Sequence, residues 1–212
     1  MRRIFFAGIL VVAWATGAAA GPADYDRNVA EHAFQTGDYE RAGRLLRPFA
    51  EMGDAGAQSS LGWMYLNGQG VPQSDQDALN WYRNAAEQGY AAAQSGLGWM
   101  YLNGQGVPQN DQEALKWYRL AAKQGYAEAQ MNLSVIFAEG RGVPKNFVRA
   151  LMWANLAVAS SNDDEGKTAK ELRDELASRM TAIEIGMAQN LARQCREPKK
   201  TQMLLNGINY CD

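Results

Sequence analysis

The chain has 212 residues, 47% of them apolar and 21% charged, with a formal net charge of −2. That length suffices for one domain with a sizeable core or for an elongated stack of small units, and the apolar content argues against bulk disorder. The absence of a basic excess removes the electrostatic footprint that phosphate backbones require, so nucleic acid is not an expected partner.

Arg2 and Arg3 precede a nearly unbroken apolar run, Ile4 to Ala15, and Ala18-Ala19-Ala20 offers an A-x-A cleavage site. This pattern predicts a cleaved signal peptide over residues 1–20, with Gly21 as the first mature residue. The run is too short, and too rich in Ala and Gly at its end, for a transmembrane span. No span is expected in the mature chain, which would carry 19 basic and 23 acidic residues, a charge of −4. The expected location is the periplasm or the extracellular space.

Residues 24–36 and 39–52 read as an opening helix pair, joined by Thr36-Gly37-Asp38. A period of 36 residues follows. It links Gln58, Gln94 and Gln130, then Leu61, Leu97 and Leu133, then Tyr65, Tyr101 and Phe137, and also Gly68, Gly104 and Gly140. Repeats are therefore expected at 55–90, 91–126 and a divergent 127–162. Each unit reads as two helices. In the first helix, Ala57, Leu61, Met64 and Tyr65 share an apolar face, Gly68 is the C-cap and Pro72 prevents continuation. The second helix is expected to start on Asp75, Asp111 or Asn146 as N-cap, and to bury Ala78, Trp81, Tyr82, Ala85 and Ala86. Gly53, Gly89 and Gly125 end the second helices. Gly62, Gly98, Ala78, Ala114, Ala85 and Ala121 let paired helices approach, with Trp81 and Trp117 expected to fill the space between units. A helix is expected from Asp163/Asp164 to about Ser178. Thr181-Ala182-Ile183-Glu184 then matches a capping box before a last helix to about Arg193, so capping helices occupy 163–194.

Residues 195–212 read as an irregular tail. An exported chain whose two cysteines are Cys195 and Cys211 is expected to pair them, closing a short loop for about 3 kcal/mol in the chain-entropy model.

The motif set Ala57-Gln58, Leu61-Gly62, Tyr65, Gly68, Gly70-Val71, Ala78, Trp81, Ala85-Ala86 and Gly89, repeated at 93–125, resembles the Sel1-like repeat family. The resemblance covers roughly residues 37–160. It implies an all-α, right-handed α-solenoid of antiparallel helix pairs, similar to tetratricopeptide arrays, that acts as an adaptor for other proteins. The third unit departs from the pattern with Ser134 for Gly, Val135 for Trp and Phe147 for Asp.

Catalytic signatures are missing: the chain has no Walker loop, no H-E-x-x-H and no G-x-S-x-G. His32 lies on the opening helix without an identifiable nucleophile, and a single His cannot complete a Cys/His metal cluster. No cofactor, no metal and no enzyme activity are expected. Some cysteine-rich relatives of the family are described as binding or hydrolysing β-lactams. This chain lacks S-x-x-K and cysteine pairs within each repeat, so no such activity is carried over, and an enzyme-like cell-wall or β-lactam role stands only as the alternative reading. A second alternative is a structural accessory that binds through its convex face, around Tyr82 and Arg83.

Trp63 and Trp99 stand two positions after the buried Leu, about 200° around the helix. If first helices line the concave surface, Trp63, Leu66 and Asn67 with Trp99, Leu102 and Asn103 form a repeated aromatic, apolar and amide stripe. Two readings stay open for it: a protein-binding surface or packing between repeats. The expected partner is another protein or peptide of the cell envelope or extracellular space.

Overall fold

The computed structural model describes residues 22–161 and 163–196. The leader read over residues 1–20, Cys211 and the rest of the tail beyond Arg196 lie outside the described residues. Ten α-helices and no strand occur among the described residues: α1 (Pro22–Gln35), α2 (Tyr39–Glu51), α3 (Ala55–Asn67), α4 (Asp75–Glu87), α5 (Ala91–Asn103), α6 (Asp111–Lys123), α7 (Ala127–Glu139), α8 (Phe147–Ser160), α9 (Asp163–Ala177) and α10 (Ala182–Arg196). Each helix from α1 to α8 packs on the next, and α10 returns to pack on α8. This is an α-solenoid. None of the described helices is long and apolar enough to cross a membrane.

The hairpin inside each repeat follows from its turn chemistry. Gly68 and Gly104 end α3 and α5 in the left-handed conformation, and their backbone N–H groups donate to Met64 and Met100 carbonyls. The loop closes when the Ser74 N–H bonds the Tyr65 carbonyl at 3.0 Å, repeated by Asn110 on Tyr101 at 2.8 Å. Gly106 has a second reason to be glycine. Its φ is +66°, and a Cβ there would stand 2.8 Å from the carbonyl oxygen of Asp75, on the preceding second helix. The loop thus clamps one repeat to its predecessor through a gap that no side chain fits.

Two local expectations are corrected. The N-caps of α4 and α6 are Ser74 and Asn110, one residue before Asp75 and Asp111; Asn146 caps α8 as expected. Ser74 Oγ accepts from the Asp77 N–H, and Asn110 Oδ1 from the Gln112 and Glu113 N–H groups. Asp75 and Asp111 instead occupy the first turn, where a negative charge is also favourable. Asp111 uses its carboxylate to hold Arg141 of the next repeat's loop at 3.3 Å.

The second correction concerns the filler between helices. Trp81 and Trp117 are half-buried, whereas Tyr82 and Tyr118 are buried. The Tyr82 ring is wedged between α3 and α5: a Cβ on Gly62 would come within 2.9 Å of it and one on Gly96 within 2.7 Å. Glycine at both positions makes the slot, and the phenol ring fills it. Leu61, Leu97 and Leu133 are fully buried at the centres of successive clusters. Burial of a Leu stabilises by about 1.5–3 kcal/mol, so the same position contributes once per repeat. At the far end Trp153 is buried, because α10 covers the face of α8 that no further repeat covers. The Thr181 N–H donates to Glu184 Oε2 at 2.9 Å and the Glu184 N–H to Thr181 Oγ1, completing the expected capping box. The Glu184 carboxylate also accepts from the Thr181 hydroxyl at 2.8 Å, and the bonds from the Thr181 N–H and hydroxyl hold it below its usual range.

Candidate functional site

First helices of successive repeats contribute equivalent positions to one face. Positions 56, 60, 63 and 67 of α3 fall within about 60° of one another around the helix. Their counterparts are 92, 96, 99 and 103 on α5, and 128, 132, 135 and 139 on α7. A groove of about 330 Å³ crosses this face. Its walls come from Phe34 on α1, Ser59, Ser60 and Trp63 on α3, Ala92 and Gly96 on α5, and Glu128 on α7. Tyr82 lies on its floor, with Tyr90 and Tyr126 at the turns that enter α5 and α7.

The aromatic end is held by packing. Trp63 meets Phe34 edge-on and Tyr39 at a tilt, each with ring centroids 5.3 Å apart, and Phe34 meets Tyr39 edge-on at 5.6 Å. The other end is polar. Tyr126 donates its hydroxyl to Glu128 Oε2 at 3.2 Å. Burial, then the Glu128 charge, pushes the Tyr82 phenol above its usual range, so it stays neutral and keeps its proton. Near α1, Arg27 is engaged by Glu31 at 3.1 Å and by Asp54 at 3.2 Å.

Tyr90 and Tyr126 come at a local cost. In the first repeat the equivalent residue is Asp54, whose Oδ1 caps α3 by accepting from the Ala57 N–H at 2.7 Å. Tyr90 and Tyr126 stand at the same helix starts and provide no side-chain cap. Replacing a capping side chain costs about 0.5–2 kcal/mol. The second and third repeats forgo that bond and place phenols at the groove edge, which makes Tyr90 and Tyr126 functional candidates.

The expected stripe is divided by the structure. Trp63 lies in the groove, half-buried. Trp99 is 37% exposed at the same helical position one repeat on, and lies outside the groove lining. Asn67 and Asn103 are exposed on this face, but each donates its Nδ2 to the carbonyl four residues back, Trp63 at 2.8 Å and Trp99 at 2.9 Å. Leu66 and Leu102 leave the stripe. Each is three residues after its Trp, 300° around the helix, and so faces the following repeat. Leu66 packs on the core around Leu97, and Leu102 is buried beside Phe137. Val135 takes the place of Trp in the third repeat and is exposed. Tyr82 does not belong to the convex face proposed around Tyr82 and Arg83: it is 4% exposed and opens onto the groove. His32 is exposed on α1. Cys195 is half-buried with its Sγ 3.9 Å from Met152 Sδ.

Sequence reasoning missed Phe34, Ser60, Tyr90, Gly96, Tyr126 and Glu128. A signal was available for two of them: the 36-residue recurrence of Tyr90 and Tyr126 on a position that is Asp54 in the first unit.

The model of the Sel1 repeat family matches residues 31–54, 55–90, 91–126 and 127–162. No protein of curated function matches the sequence. Among solved structures, the chain is similar to a protective antigen present in uropathogenic Escherichia coli strains, described as displaying an SLR fold. That match has 31% identity and a TM-score of 0.72, covering 88% of this chain and 42% of the antigen. It is also similar to a Sel1 repeat protein from Oxalobacter formigenes at 30% identity and a TM-score of 0.58, covering 79% of this chain and 74% of the other. The chain thus spans less than half of the antigen and about three quarters of the second protein. Sel1 repeat proteins generally mediate protein–protein interaction, and their fold is typically a non-catalytic scaffold. With four matched repeats on a helix-pair solenoid, this chain belongs to the Sel1 repeat family.

Proposed function

We propose that this protein is an exported adaptor that binds a segment of a partner protein in the groove across its first helices. The observation that carries the reading is the groove's composition. Gly96, Ala92 and Ser60 are small and leave the groove open, while Phe34, Trp63, Tyr90 and Tyr126 line it with aromatic rings. Aromatic side chains provide large contact area with few rotors to immobilise, which suits an interface anchor. Glu128 is the carboxylate among the lining residues, so the favoured segment carries a Lys or Arg beside small or apolar residues. Such a cation gains both the carboxylate and the tyrosine faces. Export is supported by Arg2 and Arg3, the apolar run to Ala15 and the Ala18-x-Ala20 site.

A photo-crosslinking residue placed in living cells at Ser60, and separately at Arg83 on α4, tests the site. The expected outcome is one principal partner captured from position 60, lost when Glu128→Lys is added, and not captured from position 83. Capture from position 83 that ignores Glu128→Lys moves the binding face to the opposite side. N-terminal sequencing of the fractionated protein tests export: it should start near Gly21, and an intact Met1 on cytosolic protein rejects it.

A further inference from the structure

A ladder of glutamines joins the repeats, and its last rung is incomplete. Gln58, Gln94 and Gln130 each donate Nε2 to a carbonyl of the preceding second helix: Ala50 at 2.9 Å, Ala86 at 3.2 Å and Ala122 at 3.1 Å. In the first two rungs the remaining oxygen is met by another carboxamide. Gln88 donates to Gln58 Oε1 at 2.8 Å, and Gln124 donates to Gln94 Oε1 and to the Gly89 carbonyl, both at 2.9 Å. The equivalent of Gln88 and Gln124 in the third repeat is Ser160, whose side chain is too short to reach. Gln130 is 3% exposed, and its Oε1 finds no hydrogen-bond partner among the described residues. A buried acceptor without a donor is rare, because it loses its bond to water and gains nothing.

The missing amide leaves a space. A cavity of about 500 Å³ is lined there by Gln130, Gly125, Ser160, Trp153 and Leu156, with Arg196 at its rim. We propose that this cavity is a binding site for a primary carboxamide, the side chain of a glutamine in a partner peptide. The two completed rungs are the template. A carboxamide N–H donates to Gln130 Oε1, and by the equivalence with Gly89 it also reaches the carbonyl of Gly125. The buried Trp153 and Leu156 receive the methylenes. The volume falls in the range of small-ligand sites, so the residue enters with part of its flanking chain. The site is separate from the first-helix groove and does not depend on it.

The probe is acetyl-Gly-Gln-Gly-methylamide, titrated into the full chain with ¹⁵N-labelled glutamine side chains. Matched peptides carry Glu or Met at the centre: Glu keeps the shape without the donor, and Met keeps only the apolar stem. The Gln130 Nε2 resonances should shift saturably with the Gln peptide and need about tenfold more of either control, since a site built around a donor rejects analogues that lack it. Ser160→Gln supplies the amide from within and should abolish the response while leaving helicity unchanged. Gln130→Met removes the acceptor and should erase the preference for Gln over Met, which keeps the test decisive if Ser160→Gln folds poorly. Equal responses to the three peptides overturn the proposal. So does a through-bond coupling in the free protein between Gln130 and the chain's own Gln202, Asn206 or Asn209, which would mean that the chain completes its own rung.

Discussion

The ring of Tyr82 leaves no room for a side chain on Gly96: a methyl carbon built there would stand 2.7 Å from the Tyr82 Cζ. The ring is flanked on its other side by Gly62, where a Cβ would likewise stand 2.9 Å from it, so there is little room to swing clear. Gly→Ala in a helix ordinarily gains about 0.5–1 kcal/mol, whereas overpacking a core costs about 1–3 kcal/mol. Gly96→Ala should therefore lose about 1–2 kcal/mol in denaturant unfolding. Gly186→Ala in α10, where a Cβ meets nothing within 4 Å, should gain about 0.5–1 kcal/mol. Equal effects of the two changes would show that helix propensity alone decides.

Trp63 and Trp99 occupy the same helical position, yet their alanine variants should differ. Trp63 packs on Phe34 and Tyr39, so Trp63→Ala should cost about 2–4 kcal/mol, below the 3–5 of a fully buried ring because part of Trp63 faces the groove. Trp99 is 37% exposed, and Trp99→Ala should stay within about 1 kcal/mol of wild type. Chemical denaturation of the two single variants separates them. A large loss from Trp99→Ala would mean that this ring is part of the packing.

Tyr118 is fully buried, and its hydroxyl has no hydrogen-bond partner among the described residues. Burial, with a smaller effect of the Glu128 charge and an opposing one from Arg141, pushes its phenol above the ordinary range. Because the folded state holds this proton more tightly than the unfolded chain, the stabilisation is fully present below about pH 10, where free tyrosine titrates. It is lost progressively as the pH rises toward the higher folded value. Tyr118→Phe should be neutral or stabilising by up to about 1 kcal/mol at pH 7, since it removes an unpaired polar atom. It should also flatten the alkaline loss of stability. Unfolding curves at pH 7 and pH 11 for both proteins give the comparison, and a clear loss at pH 7 would reveal a bond to the hydroxyl.

Cys195 and Cys211 should be recovered as one linked peptide by mapping under non-reducing conditions. The repeats between 55 and 162 hold no cysteine, so reduction should leave far-UV helicity largely unchanged. Broad unfolding on reduction would show that the array depends on its tail.

Much of the fold is legible in recurrence. Leu61, Leu97 and Leu133 recur because each repeat must bury the same position, and Gly68, Gly104 and Gly140 because each first helix ends in the same left-handed turn. Pairing between neighbours is less legible. Tyr82 and Trp81 are adjacent aromatics on one apolar stripe, and nothing in that stripe says which of them fills the slot between α3 and α5. The glycines at 62 and 96 decide it, and they lie on two other helices.

The candidate site divides along the same line. Trp63 and Asn67 could be placed on a common face from helix geometry alone, since 3.6 residues per turn is a local property. Leu66 and Leu102 were misplaced because whether a position 300° around is wet or dry depends on the repeat that follows. Local periodicity thus determined the all-helical repeat, its turns and its leucine core. Contacts across successive repeats decided the groove beneath Tyr90 and Tyr126 and the unfilled rung at Gln130, because both are made by side chains about thirty or more residues apart that meet only once the repeats stack.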